Sequence, residues 1–376
     1  MGRVHLEALR RVEFVETAAI AGRNREAAQH VGAGFSVPTI ATDYRDVLRD
    51  PRIDAVHICT PNAQHFSMAK DALQAGKHVL CEKPLATTVE EGEELVALAG
   101  SQGLRNGVCH NLRFYPMVQQ MRSLCEDGDL GEILVVQGTY SQDWLLYDTD
   151  WNWRVDAKAA GPSRCMADIG SHWFDLAEHV TGLVVTSLCA DLQTFHPMRK
   201  QPKHAVETFA NKILGPEDYI ETAVDTEDFG SVIFHMGTRT RGSVTASQVS
   251  AGRKNRLSIE IYGTESSVAW DQERPDELWA GHRDTANQIF VKDPSLLKPA
   301  ARSYADLPGG SEGYDDTFKQ IFRRFYASIG AAGAAPEYPQ FIDGLRQLKI
   351  LNAVLQSHRT RGWIDVPAPV GREIGN

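Results

Sequence analysis

Three side chains have the types and spacing for proton transfer at a hydroxyl group: Lys83, Asp168 and His172. Lys83 follows the strand predicted at Lys77–Cys81, so its ammonium lies at the edge where parallel sheets bind ligands. A fixed ammonium there stabilises an oxygen that acquires negative charge. Asp168 and His172 are four residues apart, and on one helix they share a face. An imidazole with a pKa of about 6.5 accepts a proton near neutral pH.

Each of these residues also has an ordinary structural interpretation. Most lysines are solvated surface residues. The spacing of Asp168 and His172, taken alone, is more often a helix-start cap beside a surface histidine. The presence of all three favours the catalytic interpretation, with Lys83 polarising an oxygen and His172 as general base.

The first hundred residues predict the elements that position Lys83. Short apolar runs alternate with helix-like segments, which is typical of a parallel sheet wrapped by crossover helices. The predicted strands are Thr17–Ala21, Ala55–Cys59, Lys77–Cys81 and Leu104–Val108, and the predicted helices are Arg25–Gly32, Tyr44–Leu48, His65–Ala75 and Val89–Ala99. We therefore expect an α/β fold whose residues 1–112 form a Rossmann dinucleotide-binding domain.

The pattern changes after Arg113, where longer strands with period-two hydrophobicity predict a largely antiparallel sheet with one covered face. Predicted strands are Ile133–Tyr140, Ser231–Met236, Gly242–Val249 and Leu257–Tyr262, and predicted helices are Met117–Glu126, Asp168–Val180, Asp315–Ile329 and Gln340–Ser357. Residues 284–313 are rich in Pro, Ser and Gly and predict an irregular excursion. We expect residues 113–376 to form an α+β domain for substrate binding and oligomerisation, with its C-terminal helix packing back toward the first domain.

The opening strand and most of the glycine-rich turn of a dinucleotide-binding sheet are missing. Gly2, followed by the amphipathic run 4–9, resembles the third glycine of that turn and the helix behind it. We expect a start codon assigned too far downstream, or a shortened chain; the alternative is that Met1 begins an ordinary surface helix.

The expected position of a ribose-binding acid, about 20 residues beyond Gly2, is occupied by the sequence Gly-Arg-Asn-Arg. Arg23 in this sequence can pair with a 2′-phosphate through two parallel hydrogen bonds, which slightly favours NADP over NAD. The alternative is a solvated arginine at a strand end.

Two segments, Thr60–His65 and His78–Leu85, are the most specific features of the chain. Together they resemble the Gfo/Idh/MocA family of oxidoreductases. The likeness continues through Gly161–Gly182 and Ile342–Leu355, so it covers nearly the whole chain. The chain departs from the family pattern before Asp168, where Ala159 and Ala160 replace frequent glycines.

The resemblance implies a function and a set of site residues. It implies hydride transfer between a sugar or polyol hydroxyl and NADP or NAD, with Lys83 beside the nicotinamide, Asp168 holding the substrate and orienting Lys83, and His172 as acid/base. The histidines and acids show no metal-ligand motif, so no metal is expected. Pro84 is expected to be cis. The residues expected to bind the cofactor are Gly2, Arg23, Thr60, Pro61, Asn62, His65, Glu82, Lys83 and Pro84.

A tryptophan-rich run from Gln142 to Arg154 is a candidate carbohydrate-binding surface. Flat aromatic faces beside carboxylates suit a sugar ring, because its C–H face stacks and its hydroxyls donate to the acids. The alternative is that these tryptophans anchor a loop or a subunit interface. The candidate substrate residues are Asn111, Arg113, Trp144, Trp153 and Arg154.

Composition excludes several classes of partner. A net charge of −10 disfavours nucleic acid and anionic membranes, and we see neither a membrane helix nor a signal peptide. Six widely spaced cysteines without a C-x-x-C pair predict reduced core residues and a cytoplasmic protein. The half-covered sheet predicts a homodimer or homotetramer.

Two other functions use the same sequence features. One is an NAD-dependent glycosidase that oxidises a sugar transiently, eliminates the aglycone and reduces the product. The other is a non-catalytic sugar-sensing regulator, which we expect to have lost Lys83 or His172. Because the chain keeps both residues, an enzyme is favoured.

Overall fold

The computed structural model describes residues 1–204, 215–331 and 335–369. The chain forms two compact units. Unit 1 comprises Met1–Phe114 and Gly313–Leu348, and unit 2 comprises Tyr115–Glu312 and Lys349–Asn376. The functional division expected between residues 112 and 113 stays a prediction.

Unit 1 alternates helices with short parallel strands, which confirms the predicted α/β class. Its elements up to residue 108 are α1 Gly2–Leu9, β1 Ala19–Ala21, α2 Arg25–Phe35, β2 Thr39–Ala41, α3 Tyr44–Arg49, β3 Ala55–Ile58, α4 His65–Gln74, β4 His78–Cys81, α5 Val89–Gln102 and β5 Asn106–Val108. Only β2 lacks a predicted counterpart among these strands.

Side-chain caps set the ends of the unit 1 helices. The Asn24 side chain accepts a hydrogen bond from Ala27 N at the start of α2, and Thr88 accepts one from Glu91 N at the start of α5. Both satisfy backbone donors that a helix leaves unpaired. Gly103, with φ of 63°, ends α5 in the left-handed conformation that glycine adopts most readily.

The parallel strands of unit 1 form two separate sheets, β1–β2 and β3–β4–β5. Within the described residues, β1 and β3 are therefore each paired on one side only. A cavity of about 1040 Å³ is lined by both strands and by Leu6 and Leu9 of α1. The parallel strands of unit 1 that the structure describes therefore do not form one continuous sheet.

Unit 2 is built on a large, mainly antiparallel sheet, as predicted. The elements from residue 116 to 302 are α6 Pro116–Glu126, β6 Ile133–Ser141, α7 Ala157–Ala160, α8 Ser171–Thr181, β7 Val185–Gln193, β8 Met198–Pro202, β9 Tyr219–Ala223, β10 Phe229–Met236, β11 Thr240–Ser247, β12 Arg256–Gly263, β13 Ser267–Asp271, β14 Glu277–Gly281, β15 Gln288–Val291 and α9 Pro299–Arg302. The remaining elements of the chain are α10 Tyr314–Gly330, α11 Phe341–Thr360 and β16 Ile364–Asp365.

The nine-stranded sheet has the order β15-β14-β13-β12-β6-β11-β10-β7-β16, and β6–β11 is its parallel pair. One face is buried, as Val136, Val232 and Val244 show. Helix α8 approaches this face so closely that Trp173 Nε1 bonds Ser258 O at 3.0 Å. A Cβ at Gly138 would lie only 2.0 Å from that same oxygen, so glycine is required there.

Two expectations for unit 2 are corrected. Residues 284–313 are not wholly irregular, because they contain β15 and α9. The predicted continuous helix Asp168–Val180 instead begins with a π-helical turn, Met166–Gly170, and continues as α8. In the described part of the chain, we find no helix long and apolar enough to cross a membrane.

Candidate active site

The turn Glu82-Lys83-Pro84 follows β4, the central strand of the three-stranded parallel sheet in unit 1. It therefore lies at the carboxyl edge of that sheet, where α/β proteins bind ligands. The Lys83–Pro84 peptide bond is cis, as the resemblance implied. Glu82 and Pro84 are buried, whereas Lys83 is half-buried.

A buried chain of hydrogen bonds ends at this turn. Tyr326 Oη lies 3.0 Å from His57 Nε2, and His57 Nδ1 lies 2.9 Å from His5 Nδ1. His5 Nε2 in turn lies 2.8 Å from Glu82 Oε1, and Lys83 N donates to Glu82 Oε2 at 3.2 Å. Glu82 thus fixes the backbone from which the Lys83 side chain extends.

The electrostatics of unit 1 favour an ionised Glu82. Burial alone would raise the pKa of this carboxyl, but the hydrogen bond and charge of His5 hold the pKa below its usual value. Lys83 acts in the same direction. A carboxylate is the form that accepts both the His5 and the Lys83 N–H contacts.

His65 joins the loops that follow β3 and β4. Its ring nitrogens lie 2.7 Å from Pro84 O and 2.9 Å from Thr60 O. The side chain is 0% exposed, and burial lowers its pKa. His65 therefore connects and holds the two loops. Thr60 and Pro61 are half-buried, and Asn62 begins a short 3-10 turn.

The other candidate residues of unit 1 occupy separate positions. Gly2 begins α1 and is exposed, and Arg23 is exposed directly after β1. Asn111 is buried and donates to Thr317 Oγ1 at 2.7 Å, while Arg113 donates to Asp343 Oδ1 at 3.0 Å. These contacts give Asn111 and Arg113 a structural role, and their role in binding substrate stays a prediction.

Asp168 lies in the π-helical turn of unit 2, and His172 is the second residue of α8. The wider turn changes the phase between them, so the same-face argument for an α-helix does not apply as stated. Asp168 Oδ1 accepts from Arg154 Nε at 3.2 Å, and Oδ2 accepts from Gln248 Nε2 at 3.1 Å. Both carboxylate oxygens are therefore held in a defined orientation.

Four of the candidate residues in unit 2 lie together. The Arg154 guanidinium stacks 4.4 Å from the centre of the Trp153 ring and 5.7 Å from that of Trp144. The same guanidinium bonds Asp168. Trp144 and Trp151 pack against a small cluster of Leu145, Val155 and Val224. An aromatic, arginine and carboxylate surface of this kind suits a polyhydroxylated ring.

Sequence reasoning missed a buried charge network in unit 2. Its members are Arg164, Arg199, Glu227, Asp228 and Gln248. Asp228 Oδ1 accepts from Arg164 at 2.5 Å and from Arg199 at 2.6 Å. The sequence carries no signal for this network, because buried charged residues are rare and these are far apart along the chain.

The two acids of this network have opposite pKa shifts. Burial raises the pKa of Glu227, and hydrogen bonds from Ser163 and Met166 N offset this only in part. Burial would also raise the pKa of Asp228, but Arg164 and Arg199 hold it below its usual value.

One cluster in unit 1 has metal-ligand residue types. The ligand atoms of His5, Glu82 and Cys109 lie within 4.8 Å of one another. However, His5 Nε2 and Glu82 Oε1 are 2.8 Å apart, whereas two ligands of a tetrahedral zinc ion lie about 3.4 Å apart. Burial also raises the pKa of Cys109 to about 12, so the thiol is protonated. The geometry fits a hydrogen bond better than a metal.

Two family models match consecutive parts of the chain. The oxidoreductase family with an NAD-binding Rossmann fold matches residues 1–110, and the GFO/IDH/MocA C-terminal domain matches residues 118–269.

Individual relatives cover almost the whole chain. Levoglucosan dehydrogenase from Pseudarthrobacter phenanthrenivorans is 31% identical over 93% of this chain and 89% of its own length. A scyllo-inositol 2-dehydrogenase (NADP(+)) from Bacillus subtilis is 30% identical over 89% of this chain and 85% of its own.

The fold is likewise shared with a solved structure. A levoglucosan dehydrogenase in complex with NADH and levoglucosan has a TM-score of 0.86 and 29% identity, over 98% of this chain and 97% of that chain. The consecutive family matches and the near-complete coverage agree with the resemblance seen in the motifs: the chain belongs to the Gfo/Idh/MocA family of oxidoreductases.

Proposed function

We propose that this protein is an NAD(P)-dependent dehydrogenase that oxidises a secondary hydroxyl of a sugar or polyol. One observation carries the proposal: the chain keeps Lys83 directly after β4, at the carboxyl edge of a parallel sheet in the NAD-binding domain. Relatives that act on levoglucosan and on scyllo-inositol support the choice of substrate class.

The residues of unit 1 fit a nicotinamide dinucleotide. No side chain caps the first turn of α1, and a Cβ placed on Gly2 would meet nothing within 4 Å. Free backbone N–H groups at a helix start favour a phosphate group. Gly2, Thr60, Pro61, Asn62 and the turn at Lys83 are the proposed contacts, with His65 and Glu82 holding their loops. The bound cofactor would supply the hydride acceptor.

In the proposed mechanism, Lys83 and His172 share the work of activating the hydroxyl. The Lys83 ammonium donates to the substrate oxygen and stabilises the negative charge that develops there. His172 accepts the hydroxyl proton as the carbon–oxygen double bond forms. Asp168, whose carboxylate accepts from Arg154 and Gln248, is the proposed residue that holds the substrate and orients Lys83.

The tryptophan-rich loop is the proposed sugar-binding surface. Trp153 and Trp144 both lie beside the Arg154 guanidinium and offer flat apolar rings for the sugar. Asn111 and Arg113 are the proposed contacts from unit 1. The 2′-phosphate of NADP is the proposed partner of Arg23, whose exposed guanidinium has the geometry for two parallel hydrogen bonds.

We further propose a homodimer or homotetramer in the cytoplasm. The nine-stranded sheet leaves one face partly exposed, with Ile233 and Ile289 among its uncovered apolar residues. All six cysteines are free, and three of them, Cys81, Cys109 and Cys165, are buried as expected of core residues, whereas Cys59, Cys125 and Cys189 are only partly buried.

The test is a panel of inositols, hexoses, anhydrosugars and glycosides, scanned with NAD and with NADP in the near-ultraviolet band of the reduced cofactor. The proposal predicts net cofactor reduction with at least one free sugar or polyol. Release of an aglycone without net cofactor reduction would instead identify a glycosidase. Sugar binding without either reaction would identify a sensor.

A further inference from the structure

Two consecutive buried acids, Glu227 and Asp228, stand directly before β10 in unit 2. Glu227 is 4% exposed and Asp228 is 0% exposed. Burying adjacent carboxyl groups is costly unless each is fully hydrogen-bonded. The Glu227 side chain binds the segment 163–166. Asp228 binds Arg164 of that segment and also Arg199, which reaches the tryptophan-rich loop.

Glu227 binds the segment that precedes the catalytic residues of unit 2. Its Oε1 accepts hydrogen bonds from Ser163 Oγ at 2.5 Å, Arg164 N at 3.0 Å and Met166 N at 2.9 Å. Met166 begins the π-helical turn that carries Asp168 and leads into His172. A carboxylate at a helix start accepts hydrogen bonds from backbone N–H groups that the helix leaves unpaired. Its negative charge also interacts favourably with the helix dipole.

Asp228 binds the tryptophan-rich loop through Arg199. The Arg199 guanidinium donates to Asp228 Oδ1 at 2.6 Å and to Leu145 O at 3.0 Å. Its other terminal nitrogen donates to Tyr147 O at 2.9 Å and to Asp150 O at 3.2 Å. Tyr147 O also accepts from Asp150 N within the loop. Because the loop belongs to no strand, the buried Arg199 donors add fixed contacts that hold these carbonyls in position.

Gln248 connects the two branches. Its backbone N–H donates to Asp228 O at 2.9 Å, and its backbone oxygen accepts from Leu145 N at 3.2 Å. Its side chain donates to Asp168 Oδ2 at 3.1 Å. The acid pair is thus joined by short, buried contacts to the aromatic loop and to the carboxylate of the proposed site.

We propose that Glu227 and Asp228 are positioning residues with separable effects: Glu227 places the Asp168–His172 segment for proton transfer, and Asp228, through Arg199, places the tryptophan-rich loop for substrate binding. The inference rests on the proposed function, because it assigns roles within that site. Neither acid is a catalytic residue, since each acts through other groups.

The two branches predict different kinetic effects. Arg199→Lys keeps the charge but cannot reach all of the loop carbonyls, so we expect KM for the sugar to rise about tenfold and kcat to change less than about twofold. Glu227→Gln keeps the shape but weakens the helix-start contacts. We expect kcat to fall about tenfold, with KM changed less than about twofold.

Hydrogen exchange of the full-length protein tests placement without relying on activity. We expect Arg199→Lys to speed amide exchange in residues 142–154 but not in 163–172, and Glu227→Gln to do the reverse, each by about tenfold. Lys200→Gln is the matched control, because Lys200 makes an exposed ion pair to Asp148 of the same loop. We expect it to leave exchange and kinetics at the parental level.

Exchange that stays unchanged in both segments, or rises evenly throughout unit 2 without a split between kcat and KM, would overturn the proposal. His196 donates its backbone N–H to Asp228 Oδ2 at 3.1 Å, and its ring contacts Leu146 O of the tryptophan-rich loop at 2.8 Å. Should either variant fail to fold, Ser163→Ala removes one contact of Glu227, and His196→Ala removes the ring contact with the loop. Parental exchange in both milder variants would also overturn it. If the parent reduces no cofactor with any substrate, the proposed function fails, and the exchange measurements still decide the positioning claim.

Discussion

An exposed arginine, Arg23, lies directly after β1 at the carboxyl end of that strand. A guanidinium there forms strong, charge-assisted hydrogen bonds with a 2′-phosphate. It stabilises an unmodified ribose hydroxyl much less. We therefore expect Arg23→Ser to raise KM for NADP about tenfold or more and to change KM for NAD by less than about twofold. Initial rates with each cofactor at saturating substrate measure this.

Arg25→Ser is the control for this prediction, because Arg25 is equally exposed but already belongs to α2. It should leave the ratio of the two KM values unchanged. Equal losses with NAD and NADP in the Arg23 variant would show that the arginine does not contact the 2′ position.

At the residue scale, the sequence predicted residues that belong to a contiguous motif. Lys83 directly follows an apolar strand, so its place at the sheet edge could be expected, whereas the cis bond was implied only by the family resemblance. The Glu227–Asp228 pair could not, because its importance depends on Arg164 and Arg199, which only the fold brings near. The structural role of His65 was likewise hidden, since its partners are backbone carbonyls.

Asp228, which lies directly before β10, should govern how the stability of unit 2 depends on acid pH. The pKa of Asp228 is lower in the folded chain than its usual value of 3.8, because Arg164 and Arg199 outweigh the effect of burial. Its contribution to stability is therefore present above about pH 4 and is lost as the pH falls through the folded pKa. Asp228→Asn should lower the free energy of unfolding at pH 7 by roughly 3–5 kcal/mol. In this variant, the free energy of unfolding should also fall less steeply as the pH is lowered.

Denaturant unfolding between pH 3 and pH 8 would measure both effects. Asp148→Asn breaks the exposed pair with Lys200 and should cost only about 0–1 kcal/mol. Identical stability losses for the two variants would mean that burial adds nothing to the Asp228 contacts.

At the element scale, long periodic segments were predictable and short or irregular ones were not. Strands β6, β10, β11 and β12 have eight or nine residues, long enough for a period to show, and burial alternates regularly along β10. Strand β2 has three residues, too few to show a period. The π-helical turn before α8 depends on contacts from Glu227 and is not encoded in helical spacing.

At the scale of the whole molecule, the partly exposed face of the nine-stranded sheet predicts self-association. Ile233 on β10 is 50% exposed, and the register places it in one row with Gln137, Ala269 and Ile289. Exposed apolar side chains on such a face mark an interface. We expect Ile233→Lys to shift the protein to a smaller assembly in sedimentation velocity.

Ile220→Lys is the control, since Ile220 is 51% exposed but lies on the separate β8–β9 hairpin. It should leave the sedimentation coefficient unchanged. A parent that already sediments as a monomer would contradict the proposed oligomer.

The whole-chain organisation was predictable only in outline. A change of pattern near residue 113 indicated two parts with different sheets. The sequence did not show that residues 313–348 belong to unit 1, because this depends on long-range contacts such as Arg11 with Asp316 and Asn111 with Thr317.

The most direct test of the account is the specificity constant kcat/KM of Lys83→Ala and His172→Ala, measured with the best substrate of the panel. Loss of a general base or of the polarising ammonium should each lower it about a hundredfold or more. His179→Gln, on the same helix as His172, should remain near the parent. Rates within about threefold of the parent in both alanine variants would show that the chemistry lies elsewhere.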